Sequence, residues 1–351
     1  MTINKRKKSF SGPWSFFVAC LSMAVVSCGS NPSKKSLEEE EMQDNRPNIV
    51  YILADDMGYG DLSSLNPNSG IQTPFMDRIV EQGMYFTDAH SNSAVCTPTR
   101  YGILTGRYAW RSRLKEGVLW GYDPPLIESD RTTVASFLKD NGYNTACIGK
   151  WHLGLGWQAE DSEKPIAKYE WDKVFEEGAD SNVDFSKKVS GPNTLGFNYS
   201  YIIPSSLDMT PYLYLENEKA TELPTAYTMG KSQAKDGRGV FWRPGEVAPN
   251  FDFNKVMDHL TFKATTYIAE QEKVTEPFFL YFPLTAPHTP WLPTEAVNGK
   301  SNAGRYGDFV TLVDNTVGAI LQALEESGKA ENTLIIVTSD NGSNWTEEDK
   351  A

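Results

Sequence analysis

Apolar residues recur along this chain at two different spacings, and the alternation between them predicts its architecture. Asn48 to Ala54 (NIVYILA) is a continuous apolar run between Pro47 and Asp55-Asp56, the profile of a strand buried on both faces. Thr73-Pro74 then supplies a cap and first-turn pair, Phe75, Ile79 and Val80 fall on one helical face, and Gly83 ends the segment. A return strand is expected at Met84 to Thr87. The rhythm repeats with a helix carrying Val134, Phe137 and Leu138, a stop at Asn141-Gly142, and a strand over Tyr143 to Ile148. Farther on come a helix near Asn254 to Gln271, a strand at Phe278 to Phe282, a long helix striped from Phe309 to Leu324, and a last apolar strand at Thr333 to Thr338. Strands alternating with helices predict an α/β fold, its mainly parallel sheet covered on both faces and its functional residues just past the strand carboxyl ends. Residues 157–250, rich in Gly, Pro, Asp and aromatics but weakly periodic, read as long loops and insertions around a site.

The amino-terminal segment departs from this rhythm. Lys5, Arg6, Lys7 and Lys8 precede an apolar run from Trp14 to Val26, short for a bilayer span and suited to an export signal. The run closes on Val25-Val26-Ser27-Cys28-Gly29, which resembles the lipobox of bacterial lipoproteins. Residues 1–27 are therefore expected to be a lipoprotein signal peptide, with Cys28 lipidated, so that the mature protein is exported and lipid-anchored in a bacterial envelope. Residues 28–46, with Glu38 to Glu41 in a row, read as a flexible acidic tether ahead of a folded domain over 47–351. With Cys20 and Cys28 assigned to leader and anchor, Cys96 and Cys147 remain for the folded part, and no disulfide framework is suggested. Removing residues 1–27 takes away four positive charges and no negative ones, so the formal charge of −13 becomes −17. Nucleic acid is an unsuitable partner for so acidic a chain, and any anionic ligand must be drawn by local cations.

Polar clusters stand where the strand-end rule wants them: Asp55-Asp56, Lys150-Trp151-His152, His288, and Asp340-Asn341. Asp55, Asp56, Asp340 and Asn341 offer only oxygen ligands, which suits a hard cation such as Ca2+ or Mg2+ and disfavours zinc. His152 and His288 are then free for proton transfer. His90 and His259 lack such placement and read as surface or structural residues.

The run Ser93-Ala94-Val95-Cys96-Thr97-Pro98-Thr99-Arg100, followed by Leu104-Thr105-Gly106-Arg107, carries the most specific signal. Here the chain resembles the sulfatase family, whose signature is C-x-P-x-R followed closely by L-T-G-R. The resemblance extends from Asn48 to Gly342, through D-D-M-G-Y-G-D at Asp55 to Asp61 and G-K-W-H-L-G at Gly149 to Gly154. It implies the alkaline-phosphatase-like α/β fold and hydrolysis of a sulfate monoester, with a sulfated glycan as the expected substrate. By similarity, a maturation enzyme oxidises Cys96 to formylglycine, whose hydrate is the nucleophile and which joins Asp55, Asp56, Asp340 and Asn341 around the metal. Arg100, Lys150 and His152 hold the formylglycine hydroxyls, His288 faces the leaving group, and Ser206 matches a sulfate-contacting serine. Ca2+ is the expected ion, with Mg2+ the alternative. The family also has a second sulfate-binding lysine and a C-terminal subdomain beyond its D-N-G, which these 351 residues do not reach.

Pro98 suits a first helical position, which would seat residue 96 beside the backbone N–H groups of a helix start. Ser205 to Tyr212 (SSLDMTPY) and the loops of 157–250 are expected to set substrate choice. Two other readings stay open at this point: a phosphate ester hydrolase of the same fold, for which four histidines furnish a two-zinc site poorly, and a non-catalytic lipoprotein that binds sulfated glycans with Cys96 unconverted.

Overall fold

A computed structural model describes residues 46–168 and 181–344. The expected signal peptide, the Cys28 anchor and the tether up to residue 45 lie outside the described residues. Among those described, no helix is long and apolar enough to cross a membrane.

Nine strands form among the described residues: β1 (Asn48–Asp55), β2 (Asn144–Lys150), β3 (Tyr199–Ile203), β4 (Leu215–Glu216), β5 (Lys219–Ala220), β6 (Ala226–Thr228), β7 (Gly245–Val247), β8 (Phe278–Pro287) and β9 (Thr333–Ser339). The helices are α1 (Pro74–Gln82), α2 (Cys96–Thr105), α3 (Val134–Asp140), the single turn α4 (Gln233–Asp236), α5 (Val256–Glu270) and α6 (Gly304–Glu326). Seven strands make one sheet in the order β5-β4-β3-β2-β8-β1-β9, and its five members from β3 to β9 run parallel. β4 and β5 extend it antiparallel, and β6 with β7 form a separate ribbon. This is the α/β fold with a mainly parallel sheet, and five carboxyl ends open along one edge.

The central strand β8 is buried at all ten positions, which is why its sequence FFLYFPLTAP is nearly continuously apolar. Pro283 lies inside it, where a missing N–H would break a regular ladder. The structure accommodates it at an irregularity: β1 and β8 lose register between Leu53 and Asp55, and on the other side Gly149 passes over the Pro283 carbonyl at φ +130°. A Cβ on Gly149 would stand 1.9 Å from that oxygen. The glycine thus brings the last residue of β2, Lys150, to the sheet edge.

Several expectations are corrected. Met84 to Thr87 is not a strand; Met84 and Phe86 are 75% and 78% exposed, and no neighbouring strand pairs with them. Phe137 points outward at 59% exposure while Ala135 takes the buried face of α3. Thr73 holds the N-cap position of α1 with Pro74 next, as expected, but its hydroxyl is engaged with Ser63 and Asp77 and makes no cap hydrogen bond. The free N–H groups of Phe75 and Met76 are instead accepted by Asp314 from α6, at 3.3 and 2.8 Å. The segment read as loops contributes β3, a full member of the parallel sheet.

Gly149→Ala is expected to lower the unfolding free energy by about 3 kcal/mol or more, since the new methyl requires both a strained backbone and separation of β2 from β8. Chemical denaturation checks it, and an unchanged midpoint would show that the two strands separate at no cost.

Candidate active site

All five parallel strands deliver polar side chains at their carboxyl ends: Asp55 and Asp56 after β1, Lys150 and His152 after β2, Ser206 after β3, His288 after β8, and Asp340 and Asn341 after β9. Cys96 joins them as the first residue of α2, with Val95 extended before it. Pro98 is accordingly the third helical residue and not the first; it still falls in the opening turn, where a missing N–H forfeits no intrahelical bond.

A chain of buried charges ties these ends together. Arg100 donates from Nε and Nη2 to Asp340 Oδ2 at 3.1 and 2.8 Å, from Nη2 to Asp55 Oδ1 at 3.2 Å, and from Nη1 to the Lys150 carbonyl at 2.8 Å. Lys150 Nζ donates to Asp55 Oδ2 at 2.6 Å and to Ser206 Oγ at 3.2 Å. The Arg100, Asp55 and Lys150 side chains are fully buried. Burial is the largest influence and opposes the charge on Lys150, but Asp55, joined by Cys96 and Asp340, holds the ammonium pKa above its ordinary value. The Asp55 carboxyl is likewise kept below the usual range despite its burial, by Lys150 and then Arg100. Asp340, penalised by burial and by the nearby Asp55 charge, is pushed up to about 6.

Cys96 Sγ lies at the centre. It comes within 4.8 Å of carboxylate oxygens from Asp55 and Asp340, and likewise of Asp56 and a ring nitrogen of His288. Burial, with the surrounding carboxylates, pushes its thiol well above the ordinary cysteine value. Three carboxylates offset the two permanent cations here, so without a further cation the pocket has no surplus positive charge for an anionic ester. One divalent cation would supply it. The donor set suits such an ion: Asp55, Asp56, Asp340 and Asn341 present hard oxygens, and Asn341 Oδ1 is buried without any hydrogen bond. The Asn341 amide nitrogen meanwhile donates to Asp56 Oδ1 at 2.5 Å, orienting both side chains.

The two histidines have their pKa values shifted in opposite directions. His152 Nε2 lies 2.8 Å from the Leu119 carbonyl, which only accepts, so Nε2 carries the proton and Nδ1 is left as a bare, buried acceptor. Burial, followed by the charges of Lys150 and Arg100, holds its pKa well below the ordinary imidazole value. His152 is therefore a fixed neutral base and not the group titrating near neutrality that its residue type suggests. Its backbone sits at φ +55°, a conformation costly for any residue with a side chain, and Thr97 Oγ1 donates to its carbonyl at 3.0 Å. His288 Nδ1 donates to the Thr289 carbonyl at 2.6 Å and lies 3.3 Å from Ser206 Oγ, leaving Nε2 toward Asp56 Oδ2 at 3.8 Å. Burial disfavours its cation, yet Asp55, and after it Asp56 and Asp208, raise its pKa. His90, exposed beside Asp88, and His259, packed on Tyr201, stay outside the cluster.

Asp208 lies within the Ser205 to Tyr212 run expected to set substrate choice but is not singled out there, and Arg243 escapes sequence reasoning. The two form a buried ion pair beside Ser206, within the aperiodic segment where no spacing marks them.

The sulfatase family model matches residues 47–350. An N-acetylgalactosamine-6-O-sulfatase of Bacteroides thetaiotaomicron is 31% identical over 341 residues, covering 88% of this chain and 61% of that protein. Human arylsulfatase A is 30% identical over 308 residues, covering 84% of this chain and 52% of its own length. The chain thus spans about half to three-fifths of these curated relatives. A solved structure from B. thetaiotaomicron, described under metabolism of multiple glycosaminoglycans, superposes with a TM-score of 0.70 at 30% identity, over 85% of this chain and 63% of that one. A phosphonate monoester hydrolase of Agrobacterium radiobacter, at 19% identity and a TM-score of 0.51, shares the fold over 86% of this chain and 64% of its own.

Arg100→Met should destabilise the metal-free protein by about 3–5 kcal/mol, because it leaves buried carboxylates without their main partner. Losing that cation raises the folded-state pKa values of Asp340 and Asp55, so the folded form binds protons that the unfolded chain releases. The deficit should accordingly grow from pH 5 to pH 8; denaturation across that range that gave a pH-independent difference would contradict this charge assignment.

Proposed function

This chain belongs to the sulfatase family, and from that membership we propose that the mature protein hydrolyses sulfate monoesters, with sulfated glycans as the natural class. The observation that carries the reading is the meeting of Cys96 with Asp55, Asp56, Asp340 and His288 within 4.8 Å, beside the buried Lys150. Glycans are favoured because the N-acetylgalactosamine-6-O-sulfatase is among the most similar relatives. In this reading a maturation enzyme converts Cys96 to formylglycine, and Cys28 anchors the exported protein through lipid.

Asp55, Asp56, Asp340, Asn341 and residue 96 would hold Ca2+, or alternatively Mg2+, which supplies positive charge to the ester and favours ionisation of a hydroxyl at residue 96. The converted side chain supplies two hydroxyls, one to attack sulfur and one whose deprotonation expels sulfate as the carbonyl re-forms. The chain's own residues arrange the rest. Lys150 Nζ and Ser206 Oγ, 3.2 Å apart, are placed to receive sulfate oxygens. Arg100 spends its donors on Asp340, Asp55 and the Lys150 carbonyl, so it fixes the carboxylates and the lysine and supplies charge at short range. His152 offers Nδ1 to take a proton from a hydroxyl at residue 96. His288, its cation favoured by the surrounding carboxylates, protonates the departing alcohol.

Two outcomes are expected. Cys96→Ala abolishes turnover of both a sulfated sugar and an aryl sulfate while folding and Ca2+ affinity persist, and active protein from a maturing host carries an aldehyde in place of the thiol by peptide mass spectrometry. Turnover by the alanine variant, or by protein with ordinary cysteine there, would defeat the mechanism. His288→Ala costs about 10²- to 10⁴-fold on esters of alkyl alcohols, which need protonation to leave, and far less on 4-nitrophenyl sulfate. Equal losses on the two would remove His288 from the acid role.

A further inference from the structure

Ser205 to Tyr212 is buried along its whole length, and Asp208 within it is only 4% exposed. Its Oδ2 is taken by Arg243 Nη1, whose guanidinium also donates to the Asp208 carbonyl at 3.2 Å. The Arg243 backbone N–H reaches the same carbonyl at 3.1 Å, and the Arg243 carbonyl accepts the Tyr212 hydroxyl at 2.8 Å. Over the guanidinium lie the rings of Trp120 and Phe241, with centroids 4.9 and 4.8 Å from its central carbon. Asp208 is therefore clamped from one side. Its other oxygen, Oδ1, is buried and has no hydrogen-bond partner among the described residues.

That oxygen belongs to the neighbourhood of the site. Burial disfavours the Asp208 charge, but His288, Arg243, Ser206 and Lys150 together hold its carboxyl below the usual range. Among the described residues, three buried atoms without a partner stand on the segments that follow parallel strands: His152 Nδ1 after β2, Asn341 Oδ1 after β9, and Asp208 Oδ1 after β3. The first two have uses in the proposed reaction. The third does not, and a bare ionised acceptor held rigid beside an aromatic ring and an arginine has the composition of a carbohydrate subsite.

We propose that Asp208 Oδ1 accepts a hydrogen bond from a free hydroxyl of the sugar that bears the sulfate, a hydroxyl near the esterified carbon. The assignment rests on the sulfate-ester hydrolase reading and deepens it. A carboxylate only accepts, so it welcomes a hydroxyl and repels a second sulfate or a carboxylate at the same place. The preferred substrate is then a sugar sulfated at the scissile position and unsulfated at the neighbouring hydroxyl that Asp208 reads. Arg243 is a positioning residue that turns the carboxylate toward it.

The test uses the matured protein with a panel of singly sulfated hexoses and N-acetylhexosamines, deoxy analogues of the best substrate, hexyl sulfate and 4-nitrophenyl sulfate. For the wild type, removing one particular hydroxyl should lower kcat/KM by about 10²-fold or more, because the acceptor is left unpaired. Asp208→Asn, whose amide turns its nitrogen toward that hydroxyl, should show a similar loss on the parent sugar and no further loss on that deoxy analogue. 4-Nitrophenyl sulfate, which neither carries the hydroxyl nor needs an acid to leave, should change less than about threefold, and hexyl sulfate should lose far less than the sugar even though Asp208 also supports the His288 cation. The proposal is overturned if no deoxy analogue matters, or if Asp208→Asn lowers hexyl sulfate and sugar turnover alike, which would mean that it acts through His288. The wild-type deoxy series decides even if the variant folds poorly. Absence of turnover on every ester by protein shown to be matured would sink the hydrolase reading itself, whereas ester turnover indifferent to the deoxy series sinks only this assignment.

Discussion

The guanidinium of Arg100 is a full charge with no contact with solvent, and the surrounding structure is arranged to make that tolerable. An isolated buried cation costs several kcal/mol, so its partners must be present and correctly placed in every folded molecule. Those partners come from separate parts of the chain: Asp55 ends β1, Asp340 follows β9, and the Lys150 carbonyl ends β2. Folding α2 against the sheet therefore requires three strand ends to be in register at once. The same requirement gathers the carboxylates that suit a hard cation, so the electrostatics that hold the helix and those that build the pocket are one arrangement.

This dependence explains why the site was more legible in the sequence than the loops around it. A buried parallel strand must be apolar until it emerges, and then an abrupt polar pair such as Asp55-Asp56 or Asp340-Asn341 marks the exit. The helix start was readable in motif but not in detail, since the helix begins at Cys96 and Pro98 is its third residue and not its first. Ser206 follows β3, whose five residues are too few to stand out from a stretch rich in glycine and proline. Asp314 capping a helix more than two hundred residues away is invisible to any local pattern.

Periodicity also misassigned faces. Phe137 satisfies a helical stripe yet lies outside, because a seven-residue helix needs little burial and Ala135 fits the closer approach to the body of the fold. Met84 to Phe86 has strand-like composition without a strand to join. Protonation states were still less accessible. His152 and His288 are equal as residues, but burial beside Lys150 and Arg100 lowers the pKa of one while the carboxylates around the other raise it. Only the folded arrangement distinguishes a base from an acid.

One close approach bears on how such a pocket could change over evolutionary time. Gly121 lies so near the carbonyl of Thr210 that a Cβ there would stand 1.9 Å from the oxygen, which locks the strip bearing Leu119 and Trp120 to the strip bearing Ser206 and Asp208. Neither strip can slide to admit a different ligand without moving the other, and with it the carbonyl that fixes the His152 tautomer. Divergence in specificity would therefore have to proceed by exchanging side chains on a rigid frame, and insertions would be tolerated only beyond that contact.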